Sequence, residues 1–152
     1  MKRFFAVLIT IYTILLLYMM FIGCDRETSS TSYFQLIPFK TIHHFFCDDH
    51  IYRQTFLINI IGNIFVFSPF GFLGLSIIKL NKIIPITLFF IISITLIELT
   101  QSLTGRGVAD IDDVLLNTLG MLIGYSVFKF AAWKNIANIK TYFDLEYKLQ
   151  TA

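Results

Sequence analysis

The chain has 152 residues, of which 56% are hydrophobic, 16% are aromatic and only 14% are charged. A soluble globular domain usually carries about 25% charged residues, so these values and the mean hydropathy of +0.72 exclude an ordinary soluble domain. The net charge of +2 is the small difference between 12 basic and 10 acidic residues, which gives no indication of nucleic-acid binding. The composition therefore predicts a protein whose solvent is a lipid bilayer.

Four apolar segments lie between the charged residues, and each is long enough to cross a bilayer, which takes roughly 20 residues. They predict an all-α, polytopic membrane protein, a bundle of four transmembrane helices at about 4–22, 56–78, 83–103 and 110–132. Pro85 falls in the first turn of the third helix, where proline is tolerated. Pro69 lies inside the second helix, close to Gly71 and Gly74, and predicts a kink or a break there.

The distribution of lysine and arginine predicts that both termini face the cytoplasm. In that orientation eight of these residues lie on the inner side and four on the outer side, whereas most acidic residues lie at or toward the outside. Residues 1–132 then form one transmembrane domain. Residues 133–152 form a cytoplasmic tail, which is either an amphipathic helix on the inner leaflet or a disordered segment.

The first apolar segment also has features of a signal peptide, because Lys2 and Arg3 precede it and Cys24 follows it. Its apolar stretch is long for such a signal, and Phe21 is atypical for a lipoprotein cleavage site, so an uncleaved first helix is favoured over a lipid-modified Cys24. A disulfide between Cys24 and Cys47 is a further alternative, since both fall in the predicted outer loop.

The same outer loop places His44, Cys47 and His50 at a spacing that zinc ligands could have. Three such residues without a partner motif are weak evidence, and surface residues without a fixed role are the favoured interpretation.

Polar side chains recur at one depth in three of the predicted helices. Glu98 and Gln101 are three residues apart on the third helix, and Asp110, Asp113 and Asn117 share a face of the fourth because they are three and four residues apart. We expect a hydrogen-bonded cluster, or a shallow polar pocket, that opens to the outer surface.

The second helix adds Asn59 and Asn63, four residues apart, which we interpret mainly as groups that hold helices together. Gly120 and Gly124 extend the polar face of the fourth helix as a stripe of small residues that lets helices approach closely.

For Glu98 and Asp113 a functional site is favoured, because a carboxylate at this depth is costly unless it is protonated, paired or hydrated. They are the candidate catalytic residues if the protein is an enzyme. Arg106, in the short loop above the cluster, is the expected partner of a carboxylate or a phosphate.

Asp110, Asp112 and Asp113 are weak candidates for a divalent-metal site. The first turn of a helix favours acidic residues in any case, because of the helix dipole. No cofactor is predicted.

Four motifs occur in order along the chain: Leu-Ile-Pro-Phe at 36–39, Asn-Ile-Phe-Val-Phe-Ser-Pro-Phe-Gly at 63–71, Glu-Leu-Thr-Gln at 98–101, and the segment 105–120 that begins Gly-Arg-Gly-Val-Ala-Asp-Ile-Asp-Asp. Together they make residues 35–125 resemble the VanZ-like family of small bacterial membrane proteins. The resemblance implies a multi-pass protein of the bacterial plasma membrane, and the founding member is linked to resistance to the lipoglycopeptide teicoplanin. The polar positions of the family correspond to Glu98, Gln101, Asp110, Asp113 and Asn117.

Two classes of function follow. The first is a non-enzymatic envelope protein that reduces the access of a lipid-anchored antibiotic to its cell-wall precursor target. The second is an enzyme that acts on a lipid-linked or phosphate-bearing envelope substrate, with carboxylate acid/base or metal chemistry. Transport is weaker, because the chain has no evident internal repeat. The expected partners are membrane lipids and a lipoglycopeptide or lipid-linked cell-wall precursor, and the sequence is compatible with an oligomer.

Overall fold

The computed structural model describes residues 2–23, 33–47 and 53–139. It contains four helical segments that are long and apolar enough to cross a membrane: Lys2–Phe21, Ile58–Leu75, Ile83–Leu103 and Ile111–Trp133. The chain is therefore an all-α membrane protein built as a bundle of four spanning segments, which confirms the predicted fold class.

The α-helices are α1 (Lys2–Phe21), α2 (Lys40–Cys47), α3 (Arg53–Phe67), α4 (Ile83–Leu103) and α5 (Ile111–Trp133). The second spanning segment is not one continuous α-helix, because α3 is followed by a 3₁₀ segment over Ser68–Leu75. A second 3₁₀ turn, Ile78–Asn81, leads into α4.

The break in the second spanning segment occurs at Pro69, as predicted. Proline has no backbone N–H, so it cannot donate to the carbonyl groups of Phe65 and Val66, which precede it by four and three residues. Two hydroxyl groups donate to these carbonyls instead. Ser68 donates to the Phe65 carbonyl at 2.9 Å, and Tyr12 of α1 donates to the Val66 carbonyl at 2.7 Å. The second of these bonds also attaches α1 to the rest of the bundle.

Replacing Tyr12 with phenylalanine is expected to lower the free energy of unfolding by about 1 kcal/mol, because the Val66 carbonyl loses its donor in an apolar environment. The measurement is reversible unfolding of the purified protein in mixed micelles. Tyr18→Phe on the same helix is the matched control, since Tyr18 is 52% exposed. Equal losses in the two variants would contradict this role for the Tyr12 hydroxyl.

Helix α5 packs closely against α3 and the 3₁₀ segment through two glycines. A Cβ atom at Gly120 would overlap the backbone carbonyl of Ile64, and one at Gly124 would overlap the backbone carbonyl of Ser68. The predicted stripe of small residues is therefore confirmed. The side chains of Phe128 and Met121 are fully buried beside this contact.

Two short elements on the loops were not predicted from the sequence. Strand β1 (Tyr33–Gln35) pairs in parallel with strand β2 (Val108–Asp110), and Gln35 lies opposite Asp110. Helix α2 begins shortly after β1, at Lys40. These elements place the loop after α1 against the loop between α4 and α5, at the end of the bundle where α4 ends.

At the opposite end of the bundle, the Lys129 side chain connects α5 to the turn before α4. Its Nζ atom donates to the Asn81 backbone carbonyl at 2.6 Å and to Asn81 Oδ1 at 2.8 Å. The Tyr125 hydroxyl donates to the same carbonyl at 3.2 Å. Lys129 thus extends from the spanning helix toward the bundle end, which is the behaviour expected of a lysine near a membrane interface.

Candidate functional site: a polar cavity

A cavity of about 280 Å³, here named the polar cavity, lies where α4 ends and α5 begins. Six of the polar residues singled out from the sequence line it: Asn63, Glu98, Gln101, Asp110, Asp113 and Asn117. The rest of its wall comes from residues with small or apolar side chains: Leu16, Met20, Val66, Phe67, Gly107 and Val108. Three helices and one loop therefore bring the predicted cluster together around a single space.

The helical phase of α4 and α5 explains this convergence. Asp113 and Asn117 are four residues apart and lie on one face of α5, and Glu98 and Gln101 are three apart on α4. Asn117 lies about 9 Å along α5 from its first residue, at a rise of about 1.5 Å per residue. The cavity therefore extends from the loop into the spanning part of the bundle.

Asn63 reaches the cavity from α3 and connects two helices. Its Nδ2 donates to Asp113 Oδ1 at 2.9 Å, which agrees with its interpretation as a helix-packing group. Asn59, predicted to share the same face, is exposed instead and is not among the described residues that line the cavity.

Gln101 and Arg106 both contact the C-terminal end of α1. Gln101 Nε2 donates to the Met20 carbonyl at 3.0 Å, and Arg106 Nη1 donates to the Phe21 carbonyl. The last carbonyls of a helix lack partners within the helix and form its negative end, so a guanidinium group is favourable there. The pairing of Arg106 with a carboxylate or a phosphate stays a prediction; among the described residues, Arg106 does not line the polar cavity.

Asp112 has a role that its local sequence does not indicate. Its side chain is fully buried, and its carboxylate accepts three backbone N–H groups at the beginning of α2. Oδ1 accepts from Phe39 at 2.6 Å, and Oδ2 accepts from Thr41 at 2.9 Å and from Ile42 at 3.0 Å. The first N–H groups of a helix have no partner within it. Asp112 therefore acts as an N-cap for α2 that is supplied from another part of the chain.

The Asp112 contact also holds Phe39 in an unusual backbone conformation. Phe39 has a φ of 62°, which is rare for a bulky residue. Such a conformation persists where surrounding contacts determine it, and the hydrogen bond from its N–H to Asp112 is one of these contacts.

Asp110 completes the same junction. One of its carboxylate oxygens accepts the Asp112 N–H at 2.8 Å, which caps α5, and the other accepts the Thr41 hydroxyl. Of the weak metal candidates, Asp110 and Asp112 thus share the junction with α2, whereas Asp113 accepts a hydrogen bond from Asn63. Within the described residues, no group of three or more His, Cys, Asp or Glu could hold a metal ion.

Several sequence predictions concern side chains outside the described part of the chain. These are the zinc spacing of His44, Cys47 and His50, and the lipid attachment or disulfide at Cys24. The tail from residue 140 onward also lies outside the described residues.

Asn117 gives the polar cavity an unused hydrogen-bond acceptor. Its side chain is only 2% exposed, and its Oδ1 atom has no hydrogen-bond partner among the described residues. A buried polar group left in this state costs about 1–3 kcal/mol. The other polar groups in the described wall are carboxyl and amide groups, without lysine, arginine or histidine. Asn117 Oδ1 thus offers one acceptor to a group that donates a hydrogen bond.

Comparison with known proteins identifies the family. A family model described as VanZ/LLP1 matches residues 5–133 and includes all four motifs noted in the sequence. Neither the curated proteins nor the solved structures contain a significant match to the chain.

Proposed function

The chain belongs to the VanZ/LLP1 family, and from this premise we propose that it is a non-enzymatic protein of the bacterial plasma membrane that lowers the access of teicoplanin to its cell-wall precursor target. In this proposal both termini are cytoplasmic, and the polar cavity opens toward the outside. The excess of lysine and arginine on the termini and the Lys79–Lys82 loop supports that orientation.

The polar cavity is the observation that carries the proposal. Six polar side chains from three helices and a loop line one space, and Asn117 brings a buried acceptor that has no hydrogen-bond partner among the described residues. A volume of about 280 Å³ lies just below the range of about 300–1,000 Å³ that is typical of drug-sized ligands. The cavity accommodates one polar group and not a whole glycopeptide, so its effect on teicoplanin is exerted through a smaller molecule of the outer leaflet.

The test compares labelled teicoplanin binding to susceptible cells that contain the wild-type protein or the Glu98→Gln/Asp113→Asn double variant at equal membrane levels. Wild type is expected to lower the binding, and the double variant is expected to restore most of it, with unchanged cell-wall precursors. Thr100→Ala is the control, because Thr100 is exposed on the same helix and its hydroxyl donates to the Leu96 carbonyl. Equal binding to all of these cells and to cells without the protein would contradict the proposal.

A second candidate function is an enzyme that acts on a lipid-linked or phosphate-bearing envelope substrate. It is favoured by the presence of the Glu98 and Asp113 carboxyl groups in the same cavity, where one could act as an acid and the other as a base. Mass spectra of envelope lipids and precursors from the same cultures distinguish the two functions. A modified lipid that appears with wild type and disappears with the double variant would favour the enzyme.

A further inference from the structure

An apolar groove of about 470 Å³ lies between α1, the 3₁₀ segment and α4. Ile14 and Phe89 line this groove and are 61% and 47% exposed, so the groove is open to the surrounding lipid. Its wall runs along α1 from Ala6 to Leu17, a stretch of about 16 Å at a rise of about 1.5 Å per residue. One leaflet contributes about half of a hydrocarbon thickness of about 30 Å, so the groove has the length of one acyl chain.

The wall of the groove suits a hydrocarbon chain rather than a polar group. The described wall contains no charged side chain. The hydroxyl groups of Thr10, Thr13 and Ser93 in this wall each donate to the backbone carbonyl four residues earlier in the same helix. These three donors are therefore satisfied by their own helices and do not require a polar ligand.

The beginning of α1 lies at the same end of the bundle as the turn that precedes α4. The rings of Phe5 and Phe72 have centroids 6.4 Å apart, which joins the first turn of α1 to the 3₁₀ segment. Arg3 and Ala6 are three residues apart on α1 and share a helix face, and Ala6 lines the groove. Arg3 therefore lies at this end of the groove.

Two lysines of the turn lie at the same end. Lys79 follows Ile77, which also lines the groove, by two residues, and Lys82 immediately precedes α4. Like Arg3, both lysines are exposed. The described carboxyl groups lie toward the opposite end of the bundle, around or beside the polar cavity: Glu98, Asp110, Asp112 and Asp113. The described part of the chain therefore supplies no carboxylate to these three cations.

We propose that the groove binds an anionic phospholipid, with one acyl chain along its wall and the phosphate group at Arg3, Lys79 and Lys82. Lysine and arginine attract anionic head groups at a membrane surface, whereas a zwitterionic lipid also brings an ammonium group that these cations repel. In the proposed orientation this end of the bundle faces the cytoplasm, so the lipid belongs to the inner leaflet. Its head group lies at the opposite end of the bundle from the polar cavity, and the inference does not depend on the proposed function.

The head group is tested with the purified full-length protein in nanodiscs of dioleoyl phosphatidylcholine. These contain equal fractions of dioleoyl phosphatidylglycerol, which is anionic, and dioleoyl phosphatidylethanolamine, which has the same chains and no net charge. Wild type is expected to retain about tenfold more phosphatidylglycerol than phosphatidylethanolamine when the bound lipids are measured by mass spectrometry. Equal retention of the two lipids would overturn the inference.

Charge variants separate a site on the groove from a general attraction to the basic end of the bundle. The double variant Lys79→Gln/Lys82→Gln is expected to remove most of the preference for phosphatidylglycerol, and Arg3→Gln is expected to remove part of it. Lys134→Gln is the matched control, because Lys134 is exposed at the same end and follows α5, which contributes no residue to the described wall of the groove. An equal loss of preference in the control and the double variant would refute a site on the groove.

The acyl-chain part of the site is tested by filling the groove. Ser93→Phe places a ring in it and is expected to lower the amount of bound phosphatidylglycerol by about tenfold. Ser126→Phe is the matched control, because both serines donate to the carbonyl four residues earlier and Ser126 is exposed on α5 outside the groove. Thr13→Leu fills the groove from α1 and provides an independent variant if Ser93→Phe does not fold. Unchanged phosphatidylglycerol binding in the folded groove variants would contradict the inference.

Discussion

Asp112→Ala is expected to lower the free energy of unfolding by about 3 kcal/mol or more, because hydrogen bonds to a charged group contribute about 1.5–3 kcal/mol each. The substitution leaves the N–H groups of Phe39, Thr41 and Ile42 without their shared carboxylate. The beginning of α2 then loses its cap, and the loop after α1 loses an attachment to α5. The measurement is reversible unfolding of the purified protein in mixed micelles.

Two further variants make this prediction specific. Asp112→Asn keeps one side-chain carbonyl oxygen as an acceptor and is expected to lose less stability than Asp112→Ala. Leu115→Ala is the background control, since Leu115 lies one turn further along α5 and is 40% exposed. A loss for Asp112→Ala no larger than that for Leu115→Ala would contradict the capping role.

Gly124→Ala is expected to lower the free energy of unfolding by about 2 kcal/mol, even though alanine is the better helix former. The new methyl group would overlap the Ser68 backbone carbonyl, and a backbone atom cannot give way without separating α5 from the 3₁₀ segment. The same displacement would widen the polar cavity, because Asn117 lies on α5 and Phe67 lies just before the 3₁₀ segment.

Gly62→Ala provides a control of opposite sign. Nothing lies within 4 Å of a Cβ atom built at Gly62 in α3, so alanine there is expected to raise the free energy of unfolding by about 0.5–1 kcal/mol. The same unfolding measurement applies to both variants. Equal effects of the two substitutions would show that close packing at Gly124 is not what determines the outcome.

The spanning helices and the polar positions could be predicted because both depend on local features. Segment length between charged residues fixes the spans, and the absent N–H of Pro69 ends α3 whatever its neighbours are. Helical phase places Glu98 with Gln101, and Asp113 with Asn117, before any tertiary contact is known. The six polar residues around the cavity follow from that phase, although their role in binding stays a prediction.

Features that depend on distant partners could not be predicted in the same way. The pairing of β1 with β2 and the capping of α2 by Asp112 join segments far apart in the chain, and neither segment has a strong local pattern. The sequence makes Asp112 a weak metal candidate because its own neighbourhood shows only adjacent acidic residues. The contact of Arg106 with α1 could not be predicted for the same reason. No sequence pattern shows which distant side chain will donate to the backbone carbonyl groups at the end of a helix.

The capping of α2 by Asp112 also sets an order of events during biosynthesis. Phe39 and Asp112 are 73 residues apart in the chain, and a ribosome that adds roughly 5–20 residues per second needs about 4 to 15 s to make the stretch between them. During that interval the segment that begins α2 has been synthesised, but its cap has not yet been translated. The polar cavity is likewise completed only when the last spanning helix is made, because Asp113 and Asn117 lie on that helix. A nascent chain arrested before it would have the first three spans without the cavity.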